Sequence, residues 1–353
     1  MVPITPGIMR CMDVGDIGEF ELIDRLAATI AAEGKASIAA IEGHGFRLRL
    51  AVGDDAAAWD ARSGVQVLTT DTMVEGVHFD LAYTGWRDLG WKAVAVNLSD
   101  VAAMGCTPLY SIVTLGLRDD LPVEGLVEMY RGMLDVSERI GGGIVGGDVV
   151  RSPVFFVTLA MQGVAADTDD PTLLTRHSAS AGDAVAVTGH LGCSAGGLRA
   201  MSDPTLRIAG ETKAHLEAAH NRPVPRVPEG LGLVAHGITT AMDVSDGLVD
   251  DLGKICAASG VGAVIHSDRL PADRYLREAF PDDWLELALG GGEDYELLFT
   301  GSPELVRRCA GSLKVPVSII GEIVQGSAVR VLDGRGQELE VRSRGWDHLA
   351  RSR

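Results

Sequence analysis

The acidic residues of this chain are concentrated in short segments that also contain glycine, where a protein can present carboxylates to a ligand. Eleven of them share this setting: Asp54, Asp55, Asp71, Asp100, Asp148, Asp243, Asp246, Asp250, Asp251, Glu293 and Asp294. A single acid beside a glycine is usually a turn former or a helix cap. Asp55, Asp71 and Asp148 also adjoin apolar strand-like runs, so their like charges would meet across a sheet. Such a cluster is costly unless cations neutralise it.

The donor atoms in these segments are oxygens, which favours a hard cation. Thr69 and Thr70 precede Asp71 and add hydroxyl or carbonyl oxygens. Magnesium suits such a site, because it accepts one or two carboxylates together with water and phosphate oxygens. The sequence contains no D-x-D-x-D-G loop with a glutamate at its twelfth position, which excludes an EF-hand. The spacing therefore predicts several Mg²⁺ ions that bridge carboxylates to phosphates.

The sequence does not match other known phosphate-binding motifs. A Walker A loop needs Gly-Lys-Ser or Gly-Lys-Thr, and Gly34-Lys35-Ala36 and Gly253-Lys254-Ile255 do not fit. The run from 230 to 235 matches a dinucleotide fingerprint but follows a proline-rich segment rather than a strand. The H-R-D and D-F-G motifs of protein kinases are missing from the sequence. A nucleotide would therefore bind through a different fold.

The overall charge excludes two classes of partner. The chain has 353 residues with 49 Asp and Glu against 31 Lys and Arg, for a formal net charge of −18. A nucleic-acid groove or an anionic membrane surface would require a basic patch. At 46% hydrophobic and 23% charged residues the composition is that of a globular protein. A chain of this length favours two domains over one.

Hydrophobic periodicity predicts an α+β protein. Strands are predicted at 47–52, 65–70, 154–161, 183–188 and 295–300, with helices at 86–104 and 123–140. Glycines between 141 and 147 are expected to break the chain, and the polar segment 165–182 suits a connection between domains. We therefore predict a disordered tail at 1–14 and two domains, at 15–164 and 165–353.

Cysteine usage and hydropathy predict a cytoplasmic protein. The five cysteines lie more than fifty residues apart, which favours buried thiols over a disulfide or a zinc site. The longest uncharged stretch, 101–117, is too short and too interrupted by Gly and Pro to span a membrane. No secretory signal is visible.

Taken together, the motifs resemble the thiamine-monophosphate kinases of the aminoimidazole ribonucleotide synthetase and selenophosphate synthetase superfamily. The matching segments, in order, are GEFELID (18–24), VGDDAA (52–57), TTDTMVEGVHF (69–79), WKAVAVNLSDVAAMG (91–105), VGGD (145–148), LTR (174–176), MDVSDGLVDDL (242–252), GGEDYELLFT (291–300) and GWDHL (345–349). They cover nearly the whole chain. The resemblance implies an aminoimidazole ribonucleotide synthetase-like fold. Its N-terminal domain, 15–164, would bind metal and ATP and would dimerise through a mixed or antiparallel sheet. Its C-terminal domain, 165–353, would be an α/β sandwich that completes the ATP and substrate site.

The resemblance also implies an activity and a set of site residues. ATP would donate its γ-phosphoryl group to the phosphate of thiamine monophosphate, giving thiamine diphosphate. The implied magnesium ligands are Asp55, Thr69, Thr70, Asp71, Asp100, Asp148, Asp243 and Asp246. The implied ATP contacts are Tyr130, Gly147, Asp148, Arg176 and Ser245, and the implied substrate contacts are His78, Glu293 and Trp346. A phosphate monoester is already a nucleophile at neutral pH, so no general base is expected. Catalysis would consist of in-line positioning and charge neutralisation.

The sequence lacks residues that are characteristic of the other members of the superfamily. Selenophosphate synthetase needs a reactive cysteine in a Gly-rich segment, and Cys11 lies in a patternless one. The hydrogenase-maturation relative ends in cysteine, whereas this chain ends in Arg353; aminoimidazole ribonucleotide synthetase would carry a D-G-V-G-T-K segment where this chain has DTMVEG at 71–76. A non-catalytic cation sensor or ATP-binding scaffold could use the same carboxylates. The metal positions argue against a decayed enzyme, because none carries Asn, Ala or Lys.

Overall fold

The computed structural model describes residues 12–52, 56–61, 63–166, 171–341 and 345. Two predicted site residues, Asp55 and Trp346, lie outside these ranges. The described helices and strands account for the α+β class that the periodicity predicts. In the described part of the chain, no helix combines the length and apolarity needed to cross a membrane.

The first half of the described chain forms a mixed four-stranded sheet with helices packed on one face. Its elements are α1 (Val14–Glu33), α2 (Lys35–Gly43), β1 (Leu48–Leu50), β2 (Ala58–Trp59), β3 (Gln66–Val74), α3 (Trp86–Ala103), β4 (Thr107–Leu117), α4 (Val123–Ile140), β5 (Gly143–Arg151) and β6 (Phe156–Val164). The strand order is β3-β6-β4-β5, in which only the β4–β5 pair is parallel. Strands β1 and β2 form a separate antiparallel pair.

The second half forms a mixed six-stranded sheet, in the order β12-β9-β11-β7-β10-β8. Its elements are β7 (Ala184–Thr188), α5 (Cys193–Ser202), α6 (Gly210–Asn221), α7 (Val227–Ala235), β8 (Thr240–Asp243), α8 (Leu248–Ser259), β9 (Gly262–His266), a 3₁₀ turn (Ser267–Arg269), α9 (Arg274–Ala279), α10 (Trp284–Gly290), β10 (Leu297–Gly301), α11 (Pro303–Ala310), β11 (Val317–Val324) and β12 (Val329–Leu332). The β12–β9 pair is parallel and the other pairs are antiparallel.

Helix α3 connects the two halves and is buried along most of its length. It packs against β3, β6 and α4 on one side and against α7 and β8 on the other. Gly90 and Gly132 let α3 and α4 approach closely: a Cβ at Gly90 would lie 1.7 Å from the carbonyl oxygen of Met129. The indole Nε1 of Trp91 donates to the carbonyl of Pro223 at 2.7 Å. Side chains of α3 therefore reach residues of the second half.

The structure confirms the predicted helices at 86–104 and 123–140 and differs from two other expectations. The glycines at 143, 146 and 147 lie inside β5 instead of breaking the chain. A Cβ at Gly147 would lie 2.1 Å from the carbonyl oxygen of Val113, so this close strand pairing requires glycine. The predicted tail was drawn too long, because Asp13 is the N-cap of α1 and the Val14 amide donates to Leu121. Residues 1–11 lie outside the described ranges.

Candidate functional site

A cavity of about 470 Å³ lies where the two halves of the described chain meet. Both sheets and α3 contribute to its wall. Seven of the predicted site residues line it: Asp71, His78, Asp100, Asp243, Ser245, Asp246 and Glu293. The prediction therefore selected residues that are distant in sequence and that the fold brings into one cavity.

Three carboxylates form the acidic part of this cavity: Asp71 on β3, Asp100 on α3 and Asp243 at the end of β8. The Thr69 hydroxyl donates to Asp100. The Ser99 hydroxyl donates to Asp243 Oδ2 at 2.7 Å. Thr69 and Asp71 lie on the same face of β3 because side chains alternate along a strand. By the same alternation Thr70 is on the opposite face, where it is exposed.

The electrostatics of the three carboxylates indicate a site that needs a cation. Burial and the charge of Asp100 raise the pKa of Asp71 to about 6. Burial and the same neighbour raise the pKa of Asp243 to about 7, although the Ser99 hydrogen bond opposes this. Burial also raises the pKa of Asp100, against the lowering effects of Thr69 and of the Arg176 guanidinium. A divalent cation among these oxygens would favour the ionised carboxylates and offset the cost of burying their like charges.

Gly147 and Asp148 lie apart from this cavity. Backbone pairing places Asp71, Leu159, Val113 and Gly147 opposite one another across the sheet. Three strand spacings separate Asp71 from Gly147, or about 14 Å. Asp148 is the next residue along β5, so its side chain is on the other face of the sheet from Asp71. Within one chain, the described structure does not bring these two predicted residues into the cavity.

Of two predicted ATP contacts, Tyr130 is buried and Arg176 is exposed. Tyr130 is on α4 in the hydrophobic core of the first half, 4% exposed, and burial raises the pKa of its phenol. That position is inside the core and does not fit the predicted ATP contact. Arg176 is exposed in the segment before β7, close enough to Asp100 for its charge to lower the pKa of that carboxyl. Arg176 can therefore approach an anionic ligand bound beside Asp100.

The turn before α8 is held by Asp251, whose importance the sequence did not reveal. Asp251 is one of the eleven acidic residues near glycine in the sequence, and in the fold it is 0% exposed. Its Oδ2 accepts the backbone N–H groups of Ser245, Asp246 and Gly247 at 3.0–3.1 Å. Lys254 contacts Asp251 Oδ1 at 2.7 Å and also pairs with Asp246. The predicted ligands Ser245 and Asp246 are thus presented by a turn that a buried carboxylate fixes.

A buried ion-pair network behind the cavity was also not predicted from the sequence. Lys92 of α3 is 1% exposed, and its Nζ is 2.9 Å from Glu293 Oε1 and 3.1 Å from His220 Nε2. Burial would raise the pKa of Glu293, but the charge of Lys92 and its hydrogen bond outweigh burial and lower the pKa. Burial and the Lys92 charge lower the pKa of His220 to about 4, so this imidazole is neutral. Lys92 was detectable as the one charged residue within the apolar run WKAVAV.

The backbone around Glu293 is strained in a way that presents its side chain. Glu293 has φ 66, in the left-handed region that favours glycine. Its amide donates to the carbonyl of Ser245 at 2.8 Å, which ties it to the turn before α8. His78 also lines the cavity, and its Nδ1 accepts the backbone N–H of Val74 at 3.1 Å. A strained residue held by both a buried lysine and a backbone contact is typical of a ligand-binding position.

Comparisons with known proteins agree with this arrangement. The family model of AIR synthase related proteins matches residues 53–165 with its N-terminal domain and residues 180–334 with its C-terminal domain. The thiamine-monophosphate kinase of Bacillus subtilis strain 168 is 35% identical over 315 residues, covering 87% of this chain and 95% of that protein.

Solved structures extend the similarity to three dimensions. The crystal structure of thiamine-monophosphate kinase from Stenotrophomonas maltophilia K279a has a TM-score of 0.75 and 36% identity, covering 89% of this chain and 96% of that one. AaThiL complexed with AMPPCP and TMP has a TM-score of 0.72 and 29% identity, covering 96% and 100%. With this identity and coverage in both sequence and structure, the chain belongs to the thiamine-monophosphate kinase family.

Proposed function

We propose that this protein transfers the γ-phosphoryl group of ATP to the phosphate of thiamine monophosphate, with thiamine diphosphate and ADP as products. The observation that carries the proposal is the meeting of Asp71, Asp100 and Asp243 in a cavity that His78 and Glu293 also line. A structurally similar protein, AaThiL, is complexed with AMPPCP, an ATP analogue, and with TMP, which we take as thiamine monophosphate. The cavity offers one wall suited to cations that carry phosphates and another suited to an organic substrate.

The carboxylate wall fits magnesium. Its donors are oxygens, and the raised pKa values of Asp71 and Asp243 reflect like charges that a cation would compensate. We propose Asp71, Asp100, Asp243 and Asp246 as ligands, with Thr69 beside Asp100. When bound, magnesium would neutralise the phosphates of donor and acceptor. The carboxylates themselves fix where those phosphates lie, and the exposed Arg176 supplies a guanidinium on the same side.

The opposite wall orients the acceptor. Glu293 keeps its ionised form through Lys92, and a carboxylate complements the cationic thiazolium of thiamine. His78 and Tyr83 line the same part of the cavity. We propose that these residues hold thiamine monophosphate with its phosphate directed toward the carboxylate wall. No side chain needs to remove a proton, because the attacking phosphate oxygen is already ionised.

A direct assay tests this proposal. Purified protein is incubated with ATP, Mg²⁺ and thiamine monophosphate, and thiamine diphosphate is measured by chromatography. We expect product that depends on all three additions. ATP and Mg²⁺ binding by calorimetry without product above a no-enzyme blank would instead favour the cation-sensor or scaffold alternative. A cytoplasmic location, predicted from the sequence, is a separate proposal that fractionation of cells would test.

We also propose that two copies pair through the outer face of the four-stranded sheet. That face exposes apolar side chains: Leu68 is 77% exposed, Ile112 48% and Val150 40%. Opposed strand positions place Thr72, Thr158, Thr114 and Asp148 in one row on the same face. An apolar sheet face of this kind favours association. Asp148 belongs to this face, so we assign its predicted ligand role to the assembled dimer.

Replacing Leu68 by Glu is expected to convert the dimer into a monomer. A charge would be buried without a partner in the proposed interface, and such burial is unfavourable. Light scattering coupled to gel filtration measures the mass. Leu68→Gln is the matched control, since it has the same size without the charge and should retain the dimer. A wild-type protein that elutes as a monomer at all concentrations would contradict the dimer proposal.

A further inference from the structure

A cluster of thiol, imidazole and carboxylate groups lies in the second half of the chain. Donor atoms of Cys193, His215 and Asp273 all lie within 4.8 Å of one another. His190 lies beside this group: its Nδ1 is 3.9 Å from Asp273 Oδ2, the same oxygen that is 3.5 Å from His215 Nε2. The described lining of the magnesium and substrate cavity does not include these four residues.

The fold brings these donors together from separate elements. His190 and Cys193 flank the turn that leads from β7 into α5, His215 is on α6, and Asp273 is the N-cap of α9. The Leu191 amide donates to the carbonyl of Pro271 at 3.0 Å, which ties the His190 turn to the segment before Asp273. Helix α6 packs against both α5 and α9. Cys193, His215 and Asp273 therefore lie together because α6 packs against α5 and α9, and the turn before α5 places His190 beside them.

The two oxygens of Asp273 have different roles. Oδ1 accepts the Tyr275 backbone N–H at 2.8 Å and so caps α9. That bond fixes the carboxylate and leaves Oδ2 directed at the two histidines. The His215 ring packs on the ring of Tyr275, with centroids 4.3 Å apart. Orientation of ligands by neighbouring contacts is characteristic of metal sites in proteins.

The access and the chemistry of the cluster suit a softer metal than magnesium. The side chains of His190 and His215 are 46% and 40% exposed, whereas Cys193 is 6% exposed at the base of the cluster. An ion can therefore enter from solvent past the two imidazoles. Burial and the charges of Asp294 and Asp273 raise the pKa of the Cys193 thiol, which argues against a reactive nucleophile. Cys193, His215 and Asp273 supply one sulfur, one imidazole nitrogen and one carboxylate oxygen, and the neighbouring His190 can complete the four donors of a tetrahedral zinc site.

We propose that His190, Cys193, His215 and Asp273 bind one zinc ion, separate from the magnesium ions of the active site. The ion would join the start of α5 to α6 and α9, with the thiol proton released to solvent on binding. Ser194 follows Cys193, and its hydroxyl is 3.1 Å from His220 Nδ1 in the network that holds Glu293. Zinc at this site therefore stabilises the helix that supports one wall of the substrate cavity.

The test uses Co²⁺ as a spectroscopic probe of the full-length protein after removal of metals by a chelator, with excess Mg²⁺ present. We expect one equivalent of Co²⁺ to give visible bands of a tetrahedral ion and a near-ultraviolet thiolate-to-cobalt band, both lost when Zn²⁺ is added. Cys193→Ser should lose the near-ultraviolet band. Cys256→Ser, which removes another buried thiol of the same half, should keep it.

Two further variants separate metal binding from folding. Asp273→Asn retains an oxygen that can cap α9, and its Co²⁺ affinity should fall at least about tenfold. His215→Ala changes a half-exposed side chain and should weaken Co²⁺ binding even if Cys193→Ser fails to fold. Absence of the thiolate band in the wild type, its persistence in Cys193→Ser, or unchanged Co²⁺ affinity in His215→Ala would overturn the proposal.

Discussion

Replacing Asp71 by Asn is expected to lower kcat at least about 100-fold and, at the same time, to stabilise the metal-free protein. The first effect follows from the loss of a charged ligand of the proposed magnesium site. The second follows because Asp71 carries a burial and like-charge penalty beside Asp100, which raises its pKa to about 6. A neutral amide removes that penalty. We expect about 1–2 kcal/mol of added stability at pH 7 in the presence of a chelator.

The sign of this effect depends on pH and on metal. Because folding raises the pKa of Asp71 from 3.8 to about 6, the folded state retains the proton over that interval. The carboxyl therefore favours folding at the acidic end, and this stability is lost as pH rises through about 6. Asn cannot titrate, so the melting temperature of the variant should depend less on pH between about 4 and 7. Added Mg²⁺ should raise the melting temperature of the wild type more than that of the variant.

Asp282→Asn is the matched control, since Asp282 is an exposed aspartate of the second half. It should leave kcat and both melting temperatures unchanged. If Asp71→Asn has near-normal turnover at saturating Mg²⁺, Asp71 is not a ligand. If it melts below the wild type in chelator, the carboxylates are stabilised by contacts other than a metal.

Replacing Lys92 by Met is expected to raise the KM for thiamine monophosphate at least about tenfold and to destabilise the protein by about 1–3 kcal/mol. Methionine approximates the length of lysine but removes the ammonium group 2.9 Å from Glu293. The Glu293 carboxylate, whose side chain is 28% exposed at the cavity, would then lose its main partner and would tend to bind a proton. A protonated Glu293 could no longer complement a cationic substrate. Steady-state kinetics and chemical denaturation measure the two effects.

A double-mutant cycle separates positioning from packing. In the Lys92→Met/Glu293→Gln variant neither charge is buried alone, so most of the lost stability should return, while the KM for thiamine monophosphate stays high. A simple packing role for Lys92 predicts instead that the two changes add in stability. Recovery of normal KM in the double variant would show that the carboxylate of Glu293 is not used for the substrate.

The sequence predicted those features of the protein that depend on a local pattern of residues. Helices α3 and α4 were predicted from the spacing of apolar residues. The acidic residues of β3 and β8 were predicted as site residues from their charge and their positions in the sequence. Thr70 and Thr69 show the limit of such a pattern. Both precede Asp71, but alternation along β3 directs them to opposite faces, so only Thr69 lies beside Asp100.

By itself, then, the sequence determined the family motifs, the α+β class and the carboxylates that reach the cavity. Tertiary structure decided which charges are buried and which groups meet. Elements far along the chain decide that Lys92 and Asp251 are buried, although Lys92 is conspicuous in the sequence as the one charged residue of an apolar run. Cys193, His215 and Asp273 likewise look unrelated in sequence, and the expectation of inert buried thiols followed from their separation. Only the packing of α5, α6 and α9 brings their donor atoms within reach of one ion.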